Sequence, residues 1–239
     1  MLIAAMSFGA TSLMTGLVAA PPVAQTNAEI RVNEPRPLAA ALLRLESQLG
    51  IAITYEDPPY VFARDVVVSD QGPLIPRPGT IEFSYALQAD AGETIRRLLD
   101  VNAKQANPGA FELLRSDGFY HVIATAYANE QGSPVRLSPI LSSRVTIAAR
   151  EVTGLGIIEL VAEQLSSKLK ETKETFVMGT VPAPALSKSH ETFTCSGVPA
   201  RDCLREVLVK SGYNFSWQLF YDPKLKWYVF NVHPVGYSG

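Results

Sequence analysis

The side chains best suited to chemistry are few and scattered along this 239-residue chain. Its three histidines are His121, His190 and His233, and none has a partner at a metal-ligand spacing such as His-x-x-x-His. Adjacent carboxylates occur at Glu56 and Asp57, but the two prolines that follow favour a turn. A catalytic acid pair would also need burial to shift a pKa. The sequence therefore predicts no catalytic residue, no metal site and no cofactor.

Anion and nucleic-acid binding have equally little support. Gly154 and Gly156 lie near the start of a predicted helix, where backbone N–H groups can receive an anion. The third glycine of a dinucleotide-binding motif is missing, so a loop leading into a helix explains the pair. The net charge is −2, and no basic patch of the kind that binds nucleic acid is present. We expect no nucleic-acid partner.

The two cysteines, Cys195 and Cys203, permit two interpretations. We expect the first at the end of a strand and the second in the opening turns of the next helix, which can bring their Cα atoms within bonding range. An exported chain could then form a disulfide between them. The alternative is a pair of small buried side chains with free thiols. The spacing does not fit a redox Cys-x-x-Cys motif, and there is no second pair to complete a zinc site.

A dense aromatic segment near the C-terminal end contains both tryptophans. Its eight aromatic residues within eighteen positions are Tyr213, Phe215, Trp217, Phe220, Tyr221, Trp227, Tyr228 and Phe230. In a strand, Trp217 and Tyr221 would share one face, with Phe220 on the other. A strand that is apolar on both faces is either central in a core or part of an interface. If it is an interface, we expect Trp217, Phe220, Trp227 and Tyr228 to make the contacts, since tryptophan and tyrosine dominate binding hot spots.

The N-terminal segment has the composition of an export signal. No charged residue occurs before Glu29, and small residues around Ala20 suit a signal peptidase. We interpret residues 1–24 as a signal that is removed, which places the mature chain in the periplasm. An uncleaved membrane anchor and an ordinary buried helix are the alternatives, because about 18 apolar residues can span a bilayer.

The elements that must position these residues are clearest at Pro37–Tyr55. Leucines at steps of four, three and four form one face of a predicted helix, which begins at Pro37 and stops at Gly50. Ile51, Ile53 and Tyr55 then alternate with smaller side chains, as in a half-buried strand. This segment is therefore predicted to be a helix that leads directly into a strand.

The same order of elements recurs in the second half of the chain. Several residues match in order between the two halves, which favours an internal duplication. The matched sets are Ala91, Ile95, Arg96, Leu98 and Leu99 with Ala200, Leu204, Arg205, Val207 and Leu208; Gln48-Leu49 with Gln164-Leu165; and Phe119-Tyr120 with Trp227-Tyr228. The predicted order in each half is β-α-β-β-α-β-β.

These patterns predict an α+β fold of two tandem small domains, each with two helices packed on a small mixed sheet. The first domain covers residues 28–127 and includes a proline-rich loop at 56–79. A linker at 128–141 leads to the second domain at 142–234, and a short tail follows at 235–239.

The first half resembles the secretin and TonB N-terminal short domain, and the second half resembles it more distantly. The shared pattern is a helix of the form LxxALxxLxxQxG, an aliphatic strand ending in Tyr-Asp-Pro, and a later helix LxxLL. The matching residues are Leu38, Leu42, Leu45, Gln48, Gly50, Tyr55, Asp57, Pro58, Ile95, Leu98 and Leu99 in the first half, and Ile158, Val161, Gln164, Leu165, Leu204, Val207 and Leu208 in the second. Two departures are the long loop 56–79 and the lack of a barrel or plug after the second half.

The resemblance implies a non-enzymatic protein-interaction or signalling module of the bacterial envelope, without a cofactor. Its expected partner is an unidentified envelope protein, and the oligomeric state is left open. The alternative function is binding of an envelope polymer or glycan through the aromatic hairpin 213–230. If the signal is cleaved, the mature chain is not expected to be a stable transmembrane protein.

Overall fold

The computed structural model describes residues 26–236, except 70–71, 73, 106–108 and 189. The predicted export signal at 1–24 lies outside this part. The α-helices of the described residues are α1 (Pro37–Leu49), α2 (Ala91–Ala103), α3 (Gly154–Leu169), α4 (Ala183–Leu186) and α5 (Ala200–Lys210). The strands of the first half are β1 (Asn27–Glu34), β2 (Ala52–Glu56), β3 (Val66–Val68), β4 (Leu74–Pro76), β5 (Gly79–Ala86), β6 (Gly109–Ser116), β7 (Phe119–Ala128) and β8 (Pro134–Arg136). Those of the second half are β9 (Arg144–Thr153), β10 (Thr175–Met178), β11 (His190–Pro199), β12 (Phe215–Asp222) and β13 (Trp227–Pro234). The predicted α+β class is confirmed.

Local sequence explains where the principal helices begin and end. Pro37 occupies the first turn of α1, and Gly50 ends the helix in a left-handed conformation with φ of 65°. The side chain of Asp90 caps α2 by accepting a hydrogen bond from the N–H of Glu93. The hydroxyl of Thr153 caps α3 in the same way. These local signals set where the helices begin and end.

One seven-stranded sheet runs through both halves of the chain, in the order β10-β13-β12-β2-β7-β6, with β8 beside the end of β7. The first half contributes β2-β7-β6 and the second half contributes β10-β13-β12. In each half, one strand pairs parallel with the middle strand and the other pairs antiparallel with it. The halves meet where β12 pairs parallel with β2, and we call this contact the junction. The expectation of a separate small sheet in each half is therefore wrong.

Two antiparallel ribbons complete the fold. The ribbon β1–β5 packs on α1 and α2, and the ribbon β9–β11 packs on α3 and α5. Each half is thus layered as ribbon, helices and sheet. The helices bury a stripe against the sheet and a second stripe against their ribbon, which explains why β1 and β5 alternate buried and exposed residues, as the first residues of β9 do.

The two pairs of helices cover opposite faces of the sheet. The core of the first half contains Ile53 with leucines of α1 and α2, whereas Ala52 belongs to the core of the second half. Successive residues of a strand point to opposite faces, so the two cores lie on opposite sides of the sheet. Consequently the outer face of β12, β13 and β10 has no helix of its own half above it.

The segments between the regular elements also depart from expectation. The predicted linker 128–141 contains β8 and ends in a turn whose Leu141 is fully buried in the core of the second half. The proline-rich loop 56–79 contains a small hairpin of β3 and β4. Arg64 ties this loop to the first half, because its guanidinium donates to carbonyl groups at Ala128 and Glu130. Neither segment is a free connector.

No helix in the part of the chain described above combines the length and the apolar character that crossing a bilayer requires.

Candidate functional site

The junction is short in backbone pairing and is reinforced by side chains. Gln218 and Leu219 of β12 are in register with Tyr55 and Glu56 of β2, and the N–H of Asp57 donates to the carbonyl of Leu219 at 2.9 Å. At the other end of β2, the buried hydroxyl of Ser216 donates to the carbonyl of Ile53 at 2.9 Å. Only two residues of each strand pair through the backbone, so side-chain contacts hold most of the junction together.

Asp57 is the polar centre of the junction. Its buried carboxylate accepts hydrogen bonds from the hydroxyls of Tyr55 at 2.7 Å and Tyr60 at 3.0 Å, and from the N–H of Tyr221 at 3.0 Å. The Nε of Arg36 lies 2.6 Å from the same carboxylate, while its Nη2 donates to the carbonyl of Tyr221 at 2.7 Å. Burial lowers the pKa of Arg36, but Asp57, Tyr60 and Tyr55 together outweigh burial and raise the pKa overall. Burial, together with Asp57, raises the pKa of both tyrosines, so they remain hydrogen-bond donors.

Glu56 and Arg201 form a second buried tie across the junction. The guanidinium of Arg201, at the start of α5, meets both carboxylate oxygens of Glu56 at 2.7 and 3.0 Å. Burial raises the pKa of Glu56, although Arg201 acts in the opposite direction. The prediction of a turn at Glu56 and Asp57 is therefore wrong for Glu56, which is the last residue of β2. Both carboxylates are buried, Glu56 against Arg201 and Asp57 against Arg36.

A groove of about 610 Å³ opens beside the junction, between α1 and the outer face of β12. Its lining is mainly apolar, with charged groups at the rim. The lining includes Glu34, Arg36, Ala40, Leu43, Arg44 and Phe220. The guanidinium carbon of Arg36 lies 4.7 Å from the centre of the Phe220 ring, so the same cation that joins the halves also shapes the groove.

Next to the groove lies the outer face of β12 and β13, which has no helix of the second half above it. Strand alternation places Trp227 and Val229 of β13 on the same face as Phe220 of β12. Trp227 is 39% exposed, and the other two side chains are half-buried. Polar groups anchor the rim of this surface, since the Nε2 of His233 lies 2.7 Å from the buried carboxylate of Glu46. We call the surface formed by Phe220, Trp227 and Val229 the open sheet face.

Only some of the predicted contact residues lie on this surface. Phe220 lines the groove and Trp227 is exposed, whereas Tyr228 is half-buried on the opposite face beside Tyr221. Trp217 is 0% exposed and packs in the core of the second half against Phe230. The prediction that Trp217 is a contact residue is therefore wrong, because alternation along β12 directs it toward α5 rather than toward solvent.

His121 forms the most catalytic-looking arrangement of the described residues, and the geometry favours a structural role. Its Nε2 lies 2.8 Å from the hydroxyl of Ser116, and its Nδ1 lies 2.8 Å from the hydroxyl of Thr54. Burial, with the nearby charges of Arg201 and Arg205, lowers the pKa of His121 to about 3. Such a weak base is poorly matched to activating a serine at neutral pH. The ring instead stacks on Trp217, with centroids 5.3 Å apart.

Cys195 and Cys203 are joined by a disulfide in the structure, with Cα atoms 5.9 Å apart. The bond links β11 to the first turns of α5 and lies in the core of the second half. His190 is exposed at the start of β11, and His233 contacts Glu46, so the three histidines do not meet. Within the described residues, no group of three or more histidine, cysteine or acidic side chains is arranged to hold a metal ion.

The fold and site together define an α+β protein whose two halves share one sheet and form an apolar groove where they meet. No family model, curated protein or solved structure matches the chain. The resemblance to the secretin and TonB N-terminal short domain thus stays a prediction from sequence.

Proposed function

We propose that this chain is a non-enzymatic protein-interaction module of the bacterial periplasm, built from two tandem domains fused edge to edge. The observation that carries the proposal is the groove of about 610 Å³ at the junction, with its apolar floor and charged rim. Sites of this volume and lining are typical of surfaces that receive a ligand or a partner segment. The uncharged N-terminal segment supports an envelope location.

The groove suits an apolar segment of an envelope protein. Ala40 and Leu43 of α1 supply the floor, and Phe220 supplies an aromatic wall. The guanidinium of Arg44 lies at the exposed rim, where it would favour an acidic residue next to the apolar anchor. The buried ties of Arg36 and Arg201 keep both walls in place before a partner arrives, which lowers the ordering cost of binding.

The function is tested by affinity capture from the native envelope with three baits. Wild-type chain and Ser167→Asp, a charge change on the exposed surface of α3, should retain the same partner. Leu43→Asp, which places a carboxylate in the groove, should lose it. Equal retention by all three baits would exclude the groove as the contact surface.

A glycan-binding role has one specific observation in its favour, the exposed ring of Trp227 on the open sheet face. With Trp217 in the core, a single tryptophan remains to stack against a sugar. Trp227→Ala should then abolish binding to purified envelope polysaccharide while leaving the protein partner captured by the groove.

A further inference from the structure

The two halves of the chain join through edges that are not counterparts of each other. By their pairing, β2 corresponds to β10, β7 to β13, and β6 to β12. The junction pairs β12 of the second half with β2 of the first. A contact between two different edges is heterologous, and each half that makes it keeps its other edge unused. Among the residues that the structure describes, no strand pairs with the outer edge of β6 or of β10, the two ends of the sheet.

We infer that β6 of one copy of this chain pairs with β10 of a second copy, repeating the β12–β2 contact between molecules. The strand directions agree with this arrangement. The junction strands are parallel, and β6 and β10 also run in the same direction through the sheet. A second copy added by continuing the sheet therefore makes a parallel pair, as at the junction. This inference is independent of the partner proposed for the groove.

The edge of β6 carries an apolar side chain where the junction carries one. Ser116 pairs with Phe119 in the first half, and Asp222 pairs with Trp227 at the same place in the second half. Two residues earlier in each strand, Leu114 is therefore the counterpart of Phe220. Phe220 packs against Tyr55 across the junction, with ring centroids 6.3 Å apart. Leu114 is 45% exposed on its edge strand. Soluble proteins usually protect such an edge with charge or proline, and β6 carries the exposed Glu112 and Arg115. Leu114 is the exposed apolar side chain between these charges, and we take it as the contact residue.

The edge of β10 resembles that of β2 at its outward N–H, although the carbonyl of Phe176 also accepts from Ser166, at 2.8 Å, where that of Ile53 accepts from Ser216 of β12. Ala52 pairs with Phe119 in the first half, and Thr175 pairs with Trp227 at the same place in the second half. The next residues, Ile53 and Phe176, are therefore counterparts. A helix side chain satisfies the outward N–H in both cases, because Ile53 donates to Glu46 at 2.7 Å and Phe176 donates to Ser166 at 3.1 Å. Two residues further along β2 and β10, the backbone N–H and C=O groups point to the same edge again. At that position Tyr55 contacts β12 in the junction, and its counterpart in β10 is Met178.

The contact between molecules should be weaker than the junction. The buried acids that reinforce the junction, Glu56 and Asp57, have Gly179 and Thr180 as counterparts, and Gly92 stands where α5 has Arg201. Without those ion pairs, the affinity depends on a short backbone pairing and on Leu114 meeting Met178. A heterologous contact also does not close on itself in a pair, so the assembly should grow beyond dimers as concentration rises.

Sedimentation of the exported full chain between about 1 μM and about 1 mM covers the range expected for such a contact. The wild type should form oligomers larger than dimers, and Leu114→Arg and Met178→Arg should each be monomeric. An equimolar mixture of these two variants should stop at dimers, because only one intact β6 edge can meet one intact β10 edge. The control variant Val209→Arg, at an exposed position of α5, should associate as the wild type does.

A wild type that stays monomeric over this range would overturn the inference, as would a mixture of the variants that stays monomeric. If Met178→Arg does not fold, hydrogen exchange of the wild type decides the question. The amides of Leu113 and Met178 should exchange at least about threefold more slowly at the high concentration than at the low one, and equal rates would refute the pairing.

Discussion

His121 should make the chain sensitive to mild acid, and Gln in its place should remove that sensitivity. The ring is 2% exposed, is held between the hydroxyls of Ser116 and Thr54, and stacks on Trp217. Burial is the first cause of its lowered pKa, and the charges of Arg201 and Arg205 add to it. The folded state therefore keeps the ring neutral at pH values where an unfolded chain would protonate it.

The magnitude follows from the two pKa values. The pKa of His121 is about 3 when folded, against about 6.5 when unfolded. Because the unfolded chain binds the extra proton, stability falls as the pH drops from about 6.5 toward about 3. Each pH unit in this window costs about 1.4 kcal/mol, so lowering the pH from 7 to 5 should remove about 2 kcal/mol of unfolding free energy through this residue.

The assay is urea unfolding of the wild type and of His121→Gln at pH 7 and pH 5. The wild type should lose about 2 kcal/mol more than the variant between the two pH values. His190→Gln, at an exposed position, is the matched control and should behave as the wild type. An equal loss in the wild type and in His121→Gln would refute the conclusion that His121 is held neutral by its surroundings.

Three further predictions concern the junction and the disulfide. Arg201→Met should lower the free energy of unfolding by about 3–5 kcal/mol, because it leaves Glu56 buried without its partner. The double variant Glu56→Leu with Arg201→Met should lose much less. Equal losses in the two variants would contradict the ion-pair description. Cys203→Ala should lower the unfolding free energy by about 2–3 kcal/mol. Alkylation of the protein without a reductant should add no mass, and modification of two thiols would contradict the disulfide. Unfolding followed by the fluorescence of Trp227 in a Trp217→Phe variant, which reports on the second half, should coincide with unfolding followed by circular dichroism, since one sheet joins both halves. Two separate transitions would show that the halves unfold independently.

Local signals in the sequence were sufficient for most of the individual elements. The helix predicted to begin at Pro37 and stop at Gly50 is α1. The helix predicted to start near Gly154 and Gly156 is α3, which begins at Gly154. Apolar periodicity, a proline at the start and a glycine at the end act within a few residues, so such elements can be recognised without knowledge of the fold.

The site could not be recognised in this way, because its contacts join distant parts of the chain. Arg36 meets Tyr221 across 185 positions, and Arg201 meets Glu56 across 145. Nothing near Glu56 and Asp57 in the sequence indicates burial, and the prolines after them favoured a turn. The sequence also did not indicate which face of β12 is covered, so Trp217 and Phe220 looked alike although one is in the core and the other lines the groove. The missed strands β4 and β8 are three residues long, too short to produce a periodic pattern.

The groove as a contact surface is tested most directly by photo-crosslinking in living cells. A photoreactive amino acid replaces Leu43 in the groove or, as the control, Glu163 on the exposed surface of α3. We expect the probe at position 43 to capture one defined envelope protein and the probe at position 163 to capture none. Capture of the same protein from both positions, or from 163 alone, would contradict the proposal that the groove at the junction binds the partner.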